Sequence, residues 1–278
     1  MENLILQPYS VLMSVYKGEV PEFFRQSLES IFSQTVKPDE LVLVCDGELT
    51  DELDAVIDEY SKRLGGRLNI VRLSEPMGTA HAANMGLDVC KNEYIMKMDS
   101  DDICLPCRAE KQMTYLAGHP EVGILGSYIE EFNSENGEGI AIRKPPVDDA
   151  EIRKFARRRS PFNNQTIVYK KSEAKKIGGY SEELVRCEDY DFVVRLLIGG
   201  VKSANLPEVL VKYRVNPDNL TRRRNFINTK SFIAVRKKIH KMGFSSFLDF
   251  LIPCMGQILL FITPSFVTGF LYKKVLRK

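Results

Sequence analysis

The chain has 278 residues, 44% of them hydrophobic and 27% charged, enough for one large domain or two small ones with a proper core, and it reads as globular. Six cysteines without a dense regular framework read as reduced thiols and exclude a disulfide scaffold. The formal net charge of +2 hides an asymmetry: twelve Lys/Arg against the single acid Asp249 follow Leu220, so the body carries about −9 and the tail about +11. The opening "MENLILQPYSVLMSVYKG" carries Glu2 and breaks its apolar run at Gln7 and Pro8, which does not read as a secretory leader and sets the expectation of a cytoplasmic protein.

Taken in chain order, "SVLMSVY" (10–16) predicts a strand. "PEFFRQSLESIFSQ" (21–34) predicts a helix, with Phe24, Leu28, Ile31 and Phe32 at helical spacing behind Pro21. "DELVLVCD" (39–46) predicts a second strand. Thr50 reads as the N-cap of a helix over 50–64, with acids behind it. "LNIVRLS" (68–74), "GTAHAANMGLDVC" (78–90) and "EYIMKMD" (93–99) predict strand, helix, strand. Strands alternating with helices over short connections define an α/β chain with a parallel sheet and helices on its faces. Such sheets bind ligands beyond the carboxyl ends of their strands.

At those ends the first strand runs into "VYKGEVPEF", which contains neither G-x-G-x-x-G nor G-x-x-x-x-G-K-[ST], so a phosphorylated ligand must be held another way. The second strand ends on Asp46-Gly47, either an acid that accepts hydrogen bonds from a base or sugar, or an ordinary Asp-Gly turn. The fourth ends on "MDSDD". In extended chain, residues i and i+2 share a face, so Asp99 and Asp101 can converge on one point, and two hard oxygen ligands suit Mg²⁺ or Mn²⁺ completed by water and substrate phosphate. The competing reading is a polar loop with a helix-capping acid. The neighbouring Cys104 and Cys107 form a C-x-x-C, but no second pair or H-x3-5-H completes a zinc site, and His81, His119 and His240 stand alone. The cysteines therefore read as inert fillers ahead of a helix starting near Pro106.

The order of these segments resembles glycosyltransferase family 2, whose members have the GT-A nucleotide-diphospho-sugar-binding fold, from about Tyr9 to about Arg224. "EPMGTAHAANMG" is similar to the family's G-x-x-x-A-x-N-x-G stretch at Gly78, Ala82, Asn84 and Gly86. "KMDSDDICLPCRAEKQ" matches its D-x-D strand end and P-x-R-x-x-x-Q helix start at Pro106, Arg108 and Gln112. "GGYSEELVRCEDYDFVVRLL" matches the G-G-Y, E-D and R-L pattern, and "YRVNPDNLTRR" is like the segment that closes the donor-side site.

The resemblance implies an inverting, metal-dependent sugar transfer from a nucleotide-diphospho-sugar, with UDP the commonest choice, in surface-polysaccharide synthesis. It implies Asp101 and Asp99 as metal ligands for Mg²⁺ or Mn²⁺, with Asp102 capping the next helix. It implies Asp189 as the base that takes the acceptor proton with Glu188 orienting it, and Ser14, Tyr16, Asp46, Gly78, Asn84, Asp99, Arg108 and Arg195 on the donor. For Glu188, Asp189 and Asp191 the alternative is acids that merely complement a helix N-terminus. One departure is Asn164 in "SPFNNQTIVYKKS", where relatives often carry His: Asn hydrogen-bonds but carries no charge. A pyrophosphorylase of related fold would show a G-x-G-T-R loop after the first strand, which is missing here, and a sugar-nucleotide-binding protein without transfer is the other alternative.

We expect residues 1–220 to form the catalytic domain, with 1–105 its nucleotide-sugar half and 106–220 its acceptor half, and 221–278 a helical membrane-association region. From Phe250 to Tyr272 no residue is charged, although Pro253 and Pro264 interrupt the run and basic clusters flank both ends. This favours broken helices in the cytoplasmic leaflet, on anionic lipid, over a spanning helix or internal packing. The acceptor is then a saccharide or a polyprenyl-linked one, and the protein is peripheral on the inner face of the membrane. Nucleic acid is not an expected partner, because the basic residues bracket an apolar run rather than interleave with exposed aromatics.

Overall fold

The computed structural model describes residues 5–215 and 226–263. Its first half follows the expected alternation: β1 (Tyr9–Val15), α1 (Pro21–Phe32), β2 (Glu40–Cys45), α2 (Asp51–Leu64), β3 (Leu68–Arg72), α3 (Thr79–Val89) and β4 (Tyr94–Asp99). Ends differ from the sequence reading by one or two residues, as fraying and capping geometry allow. Pro21 opens α1, and the Thr50 hydroxyl accepts from the backbone N–H of Leu53 at 3.4 Å to cap α2.

The second half contains β5 (Ile103–Cys104), α4 (Arg108–Gly118), β6 (Val122–Asn133), β7 (Gly139–Arg143), α5 (Asp149–Ala156), β8 (Val168–Lys170), α6 (Lys171–Lys176), α7 (Glu188–Ile198) and β9 (Lys202–Val215). Two further helices follow, α8 (Phe226–Lys241) and α9 (Phe247–Ile262). A single sheet joins both halves in the order β3-β2-β1-β4-β8-β6-β9-β5, with β7 beside β6. It is parallel from β3 to β4 and again between β6 and β9, whereas β8, β7 and β5 pair antiparallel.

The parallel half is apolar on both faces, as a sheet sandwiched by helices requires. Val11, Met13, Val15, Leu41 and Leu43 point to one side, against α1, α2 and α4. Leu12, Val42 and Val44 point to the other, where α3 and α7 pack. The period-2 alternation of β1 and β2 thus divides one apolar run between two cores. On the second face α3 lies so close that a Cβ at Gly86 would collide with Leu12 and Val44. This close approach carries the N-terminus of α3 to the rim of the site.

Candidate active site

The strand order places β2 on one side of β1 and β4 on the other, so the chain reverses its direction of winding between β1 and β4. A ligand crevice belongs at that switch point, beyond the strand carboxyl ends. Ser14 and Asp99 are register partners there. A cleft of about 310 Å³ opens beside it, walled by Lys17, Glu48, Thr50, Ser74 and Glu75 from the loops after β1, β2 and β3.

Four carboxylates gather at the end of β4. Asp99 accepts a hydrogen bond from the buried Lys97 ammonium at 3.1 Å, two residues back on the same strand face. Asp101 is pushed up to about 7, first by burial and then by the charges of Asp99 and Glu19. Glu19 is held by the Ser100 hydroxyl, which donates to it. Asp102 is completely buried and raised well above the usual carboxylate range by burial, Asp101 and Asp99. Rather than capping a helix, Asp102 Oδ1 accepts from the backbone N–H of Arg214 at 2.8 Å, because the chain continues into the short strand β5 beside β9. Its Oδ2 is buried without a hydrogen-bond partner. The Arg214 guanidinium donates to the Asp101 carbonyl at 2.7 Å and to Gln26 at 2.8 Å, and lies over the Phe23 ring at 3.9 Å.

Asp101 and Asp102 are raised first by burial and then by the like charges beside them, and that is the environment a divalent cation satisfies. Among the described residues no three His, Cys, Asp or Glu converge into a closed cage. An octahedral cation that takes one or two carboxylates and fills its shell with substrate phosphate and water needs none. The donor set and the orphaned Asp102 oxygen therefore fit Mg²⁺ or Mn²⁺ on Asp101 and Asp99.

The second acidic pair arrives on the first turn of α7. Thr79, at the start of α3, donates to Glu188 Oε1 at 2.6 Å. Asp189 is pushed up to about 6 by burial, then by Glu188, with Asp99 adding to the effect. The Asp99 charge thus acts on Asp101, Asp102 and Asp189 alike, and the two acidic motifs, 90 positions apart, share one electrostatic site. Cys187 enters α7 at φ 65°, the only non-glycine in the left-handed region among the described residues. Such strain persists where the surroundings fix the backbone, and here they do. Asn84 clamps Tyr180, accepting from its N–H at 2.7 Å and donating to its C=O at 2.9 Å. Gly179, at φ 71°, faces the Asn84 carbonyl so closely that a Cβ would strike it. The fully buried Asp191 pairs with Arg195 at 2.6 Å and with Lys238 of α8 at 3.0 Å, while Lys238 also donates to Ser181 at 3.0 Å and Arg195 to the Ile177 carbonyl at 2.7 Å.

The structure gives several of the expected donor residues partners within the protein. Arg108 is fully buried and donates to Gln112, to the Lys97 carbonyl at 2.8 Å and to the sulfurs of Met98 and Cys104, so it braces β4 from below. Asn84 bonds Tyr180 and Glu182, and Arg195 bonds Asp191 and the Ile177 carbonyl while its Nη2 is buried without a partner. Both Asp46 oxygens accept backbone N–H groups of Met77 and Gly78 at 2.7–3.2 Å, so Asp46 fixes the turn at Gly78, whose φ of 91° suits glycine. Ser14 stays half-buried at the β1 end and Tyr16 is 46% exposed beside Gly18. Asn164 opens a 3-10 turn, and its Oδ1 is buried without a partner. All six cysteines are free, with Cys104 in the core and Cys107 at the N-terminus of α4. Lys97, Glu19, Thr79 and Lys238 are additions that the sequence reading missed, and Arg214 belongs to the 213–223 segment it singled out, of which 216–223 lie outside the described residues. Only Lys97 had a local signal, the same-face spacing to Asp99.

A switch-point crevice with carboxylates on β4 and a second acidic pair facing them belongs to the nucleotide-sugar transferases of GT-A-like fold. Residues 10–174 match Glycosyl transferase family 2, and the chain belongs to that family of glycosyltransferase enzymes. It is 37% identical to the Erwinia amylovora amylovoran biosynthesis glycosyltransferase AmsE over 96% of this chain and 98% of the relative. It is 33% identical to an Escherichia coli UDP-Gal:alpha-D-GlcNAc-diphosphoundecaprenol beta-1,3-galactosyltransferase over 97% of each chain. In fold it is similar to S. aureus TarS 1-349 in complex with UDP-GlcNAc, with a TM-score of 0.69 and 18% identity over 96% of this chain and 76% of that one.

Proposed function

We propose that the enzyme transfers a sugar, with inversion, from a UDP-sugar to a polyprenyl-diphosphate-linked saccharide in the assembly of a surface polysaccharide. The observation that carries this reading is the common electrostatic site of Asp99, Asp101 and Asp189. The roles of two relatives, AmsE in amylovoran biosynthesis and the galactosyltransferase that acts on a diphosphoundecaprenol-linked GlcNAc, support the substrate class. Residues 1–220 act as the catalytic domain, divided near 105, and 221–278 bring the protein to the cytoplasmic face of the membrane as a peripheral component.

In this reading Asp101, with Asp99 beside it, holds Mg²⁺ or Mn²⁺, which when bound neutralises charge on the departing diphosphate. Lys97 keeps the Asp99 carboxylate aimed into the crevice. The walls of the cleft by Lys17, Glu48 and Thr50 receive the nucleoside, and Ser14 and Tyr16 flank it. Asp189 takes the proton of the acceptor hydroxyl as the glycosidic bond forms, which requires its ionised form. Glu188, fixed by Thr79, orients the acceptor and keeps a second negative charge near the base.

The test is a panel of nucleotide sugars with Mn²⁺ and a polyprenyl-diphosphate-linked GlcNAc acceptor. Transfer by the unaltered enzyme, lost in Asp101→Ala and in Asp189→Asn, is the expected result. Full turnover in either variant removes that residue's role, and donor binding without transfer to any acceptor overturns the enzymatic reading of the site.

A further inference from the structure

One turn beside the carboxylates holds polar groups that no residue of the protein satisfies. The antiparallel pairing of β4 with β8 runs from Tyr94–Lys170 to Met96–Val168. The Lys97 N–H carries it one step further by donating to the Ile167 carbonyl at 2.9 Å. The same register brings the 3-10 turn Asn164–Thr166 level with the end of β4, where Asp99 stands. Gln165 is only 5% exposed, and its carboxamide has no hydrogen-bond partner among the described residues. The Asn164 carboxamide beside it is equally unpartnered, with its Oδ1 sealed from water. Neither amide atom of Gln165 is sealed in that way, so this side chain reaches solvent through a narrow gap at the strand end.

The residues around the pair are fully engaged. Asn163 donates to the Ser127 carbonyl at 2.9 Å, and the Thr166 hydroxyl accepts from the Ser127 N–H at 3.0 Å while donating to the Asn163 carbonyl at 2.8 Å. Gln112, itself held by Arg108, donates to the Thr166 carbonyl at 2.8 Å. The turn is therefore fixed, and the two neighbouring carboxamides are held in place without bonds of their own. A buried polar group left unpaired is costly, and a fold retains it where a ligand completes it. That ligand group is neutral. Lys97, the buried cation at this strand end, is already bonded to Asp99, and carboxamides carry no charge with which to hold a phosphate. Each offers an acceptor and two donors, the complement of a sugar's hydroxyl or acetamido groups.

We infer that Asn164 and Gln165 select the sugar that is transferred, by hydrogen bonds to its hydroxyl or acetamido groups. The order of the sheet supports this placement. The nucleoside cleft lies over the loops after β1, β2 and β3, the carboxylates close β4, and the turn opens β8, the next strand along. In a nucleotide-diphospho-sugar the nucleoside, the diphosphate and the sugar are joined in that same order. This inference deepens the proposed function and rests on its nucleotide-sugar donor, adding the residues that choose among sugars.

The experiment is calorimetric titration of the full chain, in Mn²⁺, with UDP, UDP-glucose, UDP-galactose and UDP-N-acetylglucosamine, comparing the parent with Gln165→Met and Asn164→Leu. Each variant weakens binding of the parent's preferred nucleotide sugar by about three- to tenfold and flattens the preference among the three sugars. The Kd for UDP stays at the parent's value, which also shows that the variants are folded. Thermal melts of the ligand-free variants match or exceed the parent's, because an apolar side chain of similar size leaves no amide unpaired. Variants that bind all three nucleotide sugars like the parent overturn the inference. Equal losses for UDP and for the nucleotide sugars overturn it too, since the pair then supports the pocket instead of contacting the sugar. Unchanged donor binding with a raised KM for the acceptor assigns the pair to the acceptor and overturns it as well. A lowered melt with loss of UDP binding in both variants makes the carboxamides structural and has the same effect. All of these leave the proposed function standing. Sugar preference that the variants lose, in a parent that transfers to no acceptor, sinks the proposed function alone, and a parent that binds none of the three nucleotide sugars sinks both.

Discussion

Asp101→Asn is expected to stabilise the protein while abolishing its activity. The wild-type carboxyl titrates near 7, whereas an exposed aspartate titrates at 3.8. At about 1.4 kcal/mol per pH unit, that displacement caps the penalty of holding the charge at about 4 kcal/mol. The causes are burial first and then Asp99 and Glu19, and asparagine removes all of these at once. It remains a polar side chain in the same pocket, so a gain of about 2–4 kcal/mol is the reasonable range. The sign follows from proton counting. Between pH 4 and 7 the unfolded chain has released this proton and the folded chain retains it, so wild-type stability falls as pH rises through that window. The variant escapes that fall. Urea midpoints measured in EDTA at pH 8 should therefore be higher for Asp101→Asn, and the gap should close toward pH 4. Adding Mn²⁺ with UDP should raise the wild-type midpoint and leave the variant's in place. Equal midpoints at pH 8, or a variant less stable than its parent, would refute the argument that Asp101 is held at an electrostatic disadvantage for its function.

Four further outcomes follow from the same geometry. Because Asp189 is pushed up to about 6 and acts ionised, kcat for transfer at saturating metal and donor should fall tenfold per unit below about pH 6. This adds to the weakening of metal and donor binding that protonation of Asp101 brings below about pH 7. Asp191→Ala leaves Arg195 and Lys238 without their shared carboxylate and should cost about 3–5 kcal/mol in urea unfolding. Lys238→Met should cost only about 1 kcal/mol, since the ammonium is part-exposed and Asp191 keeps Arg195; a loss equal to that of Asp191→Ala would show that α8 rather than Arg195 holds the helix. Gly179→Ala forces a Cβ onto the Asn84 carbonyl at φ 71° and should cost about 1–3 kcal/mol, whereas thermal melts unchanged from wild type would mean that the 178–180 turn yields easily.

The parallel half of the fold was legible because its signals are local. An apolar run of five to seven residues, Pro21 at a helix start and Thr50 as a cap each act within a few positions. The antiparallel additions were harder to read: β5 is two residues long and exists only because β9, more than a hundred positions later, pairs with it. The acidic motifs of the site could be read for the same local reason, as carboxylates at a strand end and at a helix start. The bracing contacts of Asn84, Arg108 and Arg195 escaped the sequence reading for one reason. A polar residue near a motif can face the ligand or brace the residue that does, and sequence spacing is the same for both. Burial decides between them, and the Lys97 carbonyl, the Tyr180 backbone and the Ile177 carbonyl are the partners that decided here.

The pairing of Arg214 with Asp102 and the Asp101 carbonyl has a consequence for synthesis. The carboxylates leave the ribosome first, and the strand that supplies the neighbouring guanidinium follows more than a hundred residues later. During that interval the nascent N-terminal half carries a knot of like charges with only Lys97 to offset them, and long-range closure of this kind is slow. Folding of the first four strands can begin early, but the donor side cannot set until β9 threads in beside β5. Separate expression of residues 1–105 should accordingly give an unstable fragment rather than a working nucleotide-binding module.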